Sequence, residues 1–187
     1  MNRRESLTLL AGTALAASTH LFGRGTAFAQ TPEAGANPYT SNVKAQAEQV
    51  RSLVLRTAEK VPEDVYAFKP TPDVRSLGGL LGHIADAHNL LCGMATGAKP
   101  AFNPVNEKKT TRAELVAALK ESFAVCDKVF AETSDANGTA PVDFFGQKQS
   151  RLGMLAFNNS HTWEHYGNLV TYMRLKNIVP PSSDRSQ

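Results

Sequence analysis

Residues 40–61 read TSNVKAQAEQVRSLVLRTAEKV, and within them Val43, Ala47, Val50, Val54, Ala58 and Val61 recur at spacings of four, three, four, four and three. That is the period of a helix that buries one stripe. Lys44, Glu48, Arg51 and Arg56 fall mostly on the opposite, polar side. Pro62 ends the helix, and Pro70-Thr71-Pro72 keeps the next stretch irregular, because proline disfavours helical geometry in the residue before it. Ser76 then offers an N-cap for a second helix over about residues 77–94. Its Leu77, Leu80, Leu81, Ile84, Leu90 and Leu91 leave little polar face, so heavy burial is expected.

A break over residues 96–110, containing Gly97, Pro100 and Pro104, is long enough to cross an end of the molecule. Thr111-Arg112-Ala113-Glu114 has capping-box spacing and opens a third helix, whose apolar stripe is Leu115, Leu119, Phe123, Cys126 and Phe130. Residues 135–145 are rich in turn formers, and a fourth helix is expected over about 149–176, before Pro180-Pro181. No strand pattern of comparable strength is present. Four helices, each with an apolar face, bury those faces most simply against one another. The expected fold is all-α: a four-helix bundle in up-down-down-up order, with a long crossover between the second and third helices.

The first 29 residues are read apart from the fold. Arg3 and Arg4 precede a modestly apolar run over residues 7–22, and Ala27-Phe28-Ala29 has the small-x-small pattern of a signal-peptidase site. Arg3-Arg4-Glu5-Ser6-Leu7-Thr8-Leu9-Leu10 resembles a twin-arginine signal. The chain is therefore expected to be exported, to a periplasm or beyond, with cleavage before Gln30. Thr8, Thr13, Ser18, Thr19 and His20 interrupt the run, which is short for a span of about 20 residues. No membrane span is expected after cleavage. Residues 30–39 read as a flexible leader, 40–182 as the domain and 183–187 as a tail.

Loss of the signal removes three arginines and one glutamate, so the net charge of +3 for the 187-residue chain falls to +1. The remaining Lys and Arg are dispersed among acids without the basic stripe that nucleic-acid binding needs, so DNA and RNA are excluded as expected partners. Cys92 and Cys126 are the two cysteines. Both lie in expected helices, where a thiol is commonly a small core residue, although an oxidising compartment also permits a disulfide.

His161 and His165 stand four apart on the fourth helix and so share a face, with Cβ atoms about 5–6 Å apart. Continuing that face brings in Asn168 and Tyr172. His83, flanked at helical spacing by Leu80, Ala87 and Leu90, is expected to point inward from the second helix. Buried histidines require partners. Three neutral imidazoles satisfy one another poorly, yet bind Zn, Ni or Fe well. His88 points away from His83 on a helical wheel and reads as a hydrogen-bonding interior residue. His161-Thr162-Trp163-Glu164-His165 also spells HxxEH, the inverted zinc-peptidase signature. Glu164 is turned about 100° from each neighbour along the helix, however, and is expected at the bundle surface.

Arg75-Ser76-Leu77-Gly78-Gly79-Leu80-Leu81-Gly82-His83, together with the run from His161 to Arg174, resembles the DinB-like (YfiT-like) family of four-helix proteins. The resemblance spans about residues 40–182. It implies one divalent metal ion held by His83, His161 and His165. Asn168 stands where the family often has Gln, so a polar contact from that position would be shorter here. An open position on a three-histidine ion, together with the resemblance, points to metal-dependent hydrolysis or group transfer on a small molecule; Asn168, Tyr172 and Glu164 are the expected pocket neighbours, and no general base is identified. The competing reading is a non-enzymatic periplasmic metal-binding module. The apolar excess of the second helix also permits a homodimer.

Overall fold

The computed structural model describes residues 37–185, so the export segment and residues 30–36 of the leader lie outside the described residues. Four helices carry the fold: α1 (Pro38–Lys60), α2 (Leu77–Ala95), α3 (Arg112–Ala131) and α4 (Arg151–Leu175). Ser76 accepts a hydrogen bond from the Gly79 amide, and Thr111 and Glu114 close a capping box, so the second and third helices start where their caps direct. Helix α1 begins at Pro38, inside the expected leader. At the other end, Lys60 pairs with Asp184 at 2.7 Å, which ties residue 184 of the expected tail to α1.

Contacts at the helix ends set the directions. Thr40, near the start of α1, bonds through both its amide and its hydroxyl to Asp135, just past the end of α3. Arg112, at the start of α3, donates to the carbonyl of Val61, so α1 and α3 are antiparallel. Helix α2 runs parallel to α3, since a Cβ at Gly78 would lie 3.3 Å from Leu115 at one end while Cys92 and Cys126 are disulfide-bonded at the other. Tyr172 donates to the Arg75 carbonyl and Asn158 to the Cys92 sulfur, which makes α4 antiparallel to α2. The order is up-down-down-up.

Val50, Val54, Leu81, Ile84, Leu119 and Leu169 are buried in one part of the core. A second part surrounds the disulfide with Leu91, Phe130, Met154 and Leu155. Among the described residues no helix is long and apolar enough to cross a membrane.

Two features depart from expectation, and a third answers a question that the sequence leaves open. A two-stranded antiparallel hairpin, β1 (Pro141–Phe144) and β2 (Gln147–Ser150), occupies a stretch expected to be turn and helix start. Its strands are four residues long and β2 is almost wholly exposed, so no inside–outside alternation marks it. Arg51, assigned to the polar side of α1, is only 6 % exposed. Its guanidinium donates to the Phe123 carbonyl and to Asp127, and its centre lies 5.5 Å from the centroid of the Phe123 ring. The cysteines are paired, joining α2 to α3.

His88 is buried, as expected, and its Nδ1 lies 2.9 Å from the Ile84 carbonyl. Burial, with no compensating acid in contact, pushes this ring down to about 4. A base whose folded value lies below its ordinary value of about 6.5 contributes stability that is intact above pH 6.5 and drains away as the pH falls towards 4. Between pH 7 and 4.5 the metal-free protein is expected to lose about 2–3 kcal/mol through this residue. Urea unfolding at both pH values should show that extra loss in wild type and not in His88→Phe; equal losses in the two would remove His88 as the cause.

Candidate metal centre

Helix α2 places His83 and helix α4 places His161 and His165, so the three rings meet across the face shared by those helices. One ring nitrogen from each histidine lies within 4.8 Å of the others. The Nε2 atoms of His161 and His165 are 3.0 Å apart, and the ring centroid of His83 stands 5.3 and 4.8 Å from theirs. Nitrogens bound at about 2.0–2.1 Å to a shared ion are themselves about 3.0–3.4 Å apart. One pair already meets that spacing, and the third nitrogen lies within 4.8 Å of both.

Protonation suits the same role. Burial, then His161 and His83, pushes His165 down to about 3. Burial and then His83 lower His161 in the same direction. Both rings are therefore neutral near pH 7, with a lone pair on each. Nδ1 of His161 and Nδ1 of His165 are buried without a hydrogen-bond partner among the described residues. Two neutral rings sharing one proton between their Nε2 atoms leave this polar cluster incompletely satisfied. Three nitrogen donors with this placement fit a divalent transition metal.

Glu107 is a member of the centre that sequence reasoning misses. Its Oε1 lies 2.7 Å from His83 Nδ1, so that nitrogen carries the proton and Nε2 is the atom left to ligate. A carboxylate behind a histidine fixes the ring and raises its basicity. Burial alone would raise Glu107, but hydrogen bonds from Arg75 and His83 outweigh it and hold the carboxyl below its ordinary value. Glu107 sits in a short 3-10 turn, Asn106–Lys108, that docks on α2. The buried Asp86 carboxylate accepts the amides of Asn106 and Glu107 and the Asn106 side-chain amide. A Cβ at Gly82 would lie 2.2 Å from the Asn106 carbonyl oxygen, so only glycine permits this approach. The crossover thus carries part of the centre. No local pattern marks Glu107, because its partner is 24 residues away and the contact exists only after docking.

Exchanging Glu107 for glutamine keeps an acceptor and removes the charge. Metal affinity is expected to fall about tenfold, at the low end for such outer partners. Competition against a chromophoric chelator reads this directly, and an unchanged affinity would show that the contact does not tune His83.

Two cavities open beside the rings. A polar cleft of about 780 Å³ includes His165, Arg75, Lys69, Glu164, Asn168 and Tyr172 in its wall. Glu164 and Asn168 are exposed there, while the Tyr172 hydroxyl is engaged by the Arg75 carbonyl at 3.1 Å. The second cavity, of about 330 Å³, has His83 and His161 in a wall that is otherwise mostly phenylalanine.

The family model of the DinB superfamily matches residues 46–169 of the chain. The Bacillus subtilis protein YjoA is 27% identical over 130 residues, covering 66% of this chain and 82% of that protein. A DinB-like protein from Bacillus cereus superposes with a TM-score of 0.67 at 15% identity, over 75% of this chain and 95% of its own. A single-residue mutant of the mycothiol-dependent maleylpyruvate isomerase gives a TM-score of 0.60 at 16% identity, over 70% of this chain and 60% of that one.

Proposed function

Because this chain belongs to the DinB superfamily, we propose that His83, His161 and His165 hold one divalent transition metal and that the centre performs hydrolysis or group transfer on a small molecule. The observation that carries the reading is the convergence of three ring nitrogens within 4.8 Å from two separate helices. Three protein ligands leave a coordination position open, as catalytic rather than closed structural sites do. A metal held there supplies Lewis acidity and lowers the pKa of a coordinated donor.

The chain's own residues account for the rest. Glu107 orients His83, and Arg75 holds Glu107. Lys69 and Arg75 share the wall of the polar cleft with Asp73, Glu107 and Glu164, and Arg75 is paired with Glu107, so the cleft offers a substrate polar groups of both signs. Cavities on both sides of the rings favour an enzyme over a module that only stores metal, for which a closed site would suffice.

Elemental analysis of purified mature protein is expected to find about one metal ion per chain. A screen of esters and thiol acceptors should then show turnover that chelator abolishes and re-addition restores. Turnover indifferent to chelator would end the catalytic part of the reading. We assign the mature protein to an exported location, which the Cys92–Cys126 disulfide supports, since structural disulfides persist in oxidising compartments. Retention of the full-length chain in a cytosolic fraction would sink that assignment.

A further inference from the structure

We propose that the cavity walled by His83 and His161 binds the aryl group of a small substrate whose donor atom reaches the histidines; this rests on the metal reading above. Its other main walls are Phe102, Phe144, Phe145 and Phe157. Phe157 stacks towards His161 with centroids 6.4 Å apart, and Phe144 packs edgewise on Phe157 at 5.0 Å. Phe102 meets His83 edge-on at 6.4 Å. The rings of the cavity therefore run without a gap into the rings of the candidate centre.

Exposure shows that these phenylalanines are not simply core. Phe102 is 47 % exposed, Phe157 41 % and Phe145 67 %, so an apolar wall faces solvent beside a polar centre. At about 330 Å³ the space suits one ring system of a small molecule and is small for a helix or a second protein chain.

The hairpin turn carries the second observation. Phe144 pairs with Gln147, leaving Phe145–Gly146 as a two-residue loop with φ values of 52° and 86°. Both positive values are those of a type I′ turn, whose first position favours Asn, Asp or Gly. A bulky aromatic residue there is strained, and strain kept at an exposed position next to a cavity points to a use for the side chain. Asparagine would relieve the turn and remove the ring.

The test uses zinc-loaded protein and two hydroxamates that share a metal-binding head, phenylacetohydroxamate and acetohydroxamate. Wild type is expected to prefer the phenyl compound by about ten- to a hundredfold, as burial of a ring implies. Phe145→Asn should bring that ratio towards one, leave zinc content and acetohydroxamate affinity unchanged, and raise Tm by about 2–4 °C. A ratio near one in wild type overturns the proposal, as does a Phe145→Asn ratio equal to wild type. Dissociation of a dimer by Phe145→Asn without change in the ratio would assign the patch to a second copy instead. If wild type takes up none of zinc, nickel and iron(II), the metal reading fails on its own. Saturation-transfer NMR of phenylacetohydroxamate with metal-free protein then decides the cavity: transfer lost in Phe145→Asn keeps it as an aryl site, and no transfer in wild type rejects it.

Discussion

Replacing His165 by alanine is expected to take the protein from about one bound divalent ion per chain to none measurable at micromolar free metal. The residue is 8 % exposed, and its Nε2 faces that of His161 at 3.0 Å, so it stands at the inner side of the cluster, and among the described residues the ligand group holds three histidines and no fourth donor. The i, i+4 pair on α4 is lost with the change, and His83 with His161 alone bridges α2 and α4 with two donors. Wild type with metal at a hundred times its Kd should gain about 2.7 kcal/mol. For a domain of this size that raises Tm by about 5–10 °C. The variant should show no such gain. Equal metal content in wild type and His165→Ala would sink the three-histidine centre, and a shift in Tm that persists in the variant would place the metal elsewhere.

A double substitution, Cys92→Ala with Cys126→Ala, is expected to lower stability by about 3–4 kcal/mol. The sequence separation of 34 sets that figure through the chain entropy which the crosslink removes from the unfolded state. Tm should fall by about 10 °C. Both half-cystines are nearly inaccessible, so reductant should act on the native protein only as fast as the bundle opens. Denaturant titration of the oxidised, reduced and substituted proteins measures the loss. Two free thiols titrated in the unreduced, denatured chain would remove the bond and the expected loss with it.

Periodicity is enough to find the bundle, because α1 and α3 keep an apolar stripe at helical spacing, α2 is apolar almost all round, and α4 runs unbroken by proline to Pro180. It is also enough to bring His83, His161 and His165 together as candidates, since a four-residue spacing on one helix and an apolar setting on another are both local properties. Glu107 escapes because its value comes from docking: Asp86 and Gly82 hold the turn, and neither announces that in its neighbourhood. The hairpin escapes because β2, Gln147-Lys148-Gln149-Ser150, has no buried face and the turn holds Phe145 where asparagine would have signalled it. Arg51 misleads because charge predicts a solvated position, whereas a carbonyl, a carboxylate and an aromatic ring receive it inside. The cysteine pairing stays open since sequence spacing does not report distance across a bundle.

The glycine that admits the docked turn has company. Gly78, Gly79 and Gly82 fall within the first two turns of α2, where each lowers intrinsic helicity by about 1 kcal/mol relative to alanine. That end of the helix holds its shape through tertiary packing rather than local preference, so it is where sub-global opening should begin. Backbone amides of residues 80–84 should therefore exchange with deuterium faster than those near Cys92, and capture of an ion by His83 should slow them selectively. The segment that carries His83 is thus also the segment expected to open first.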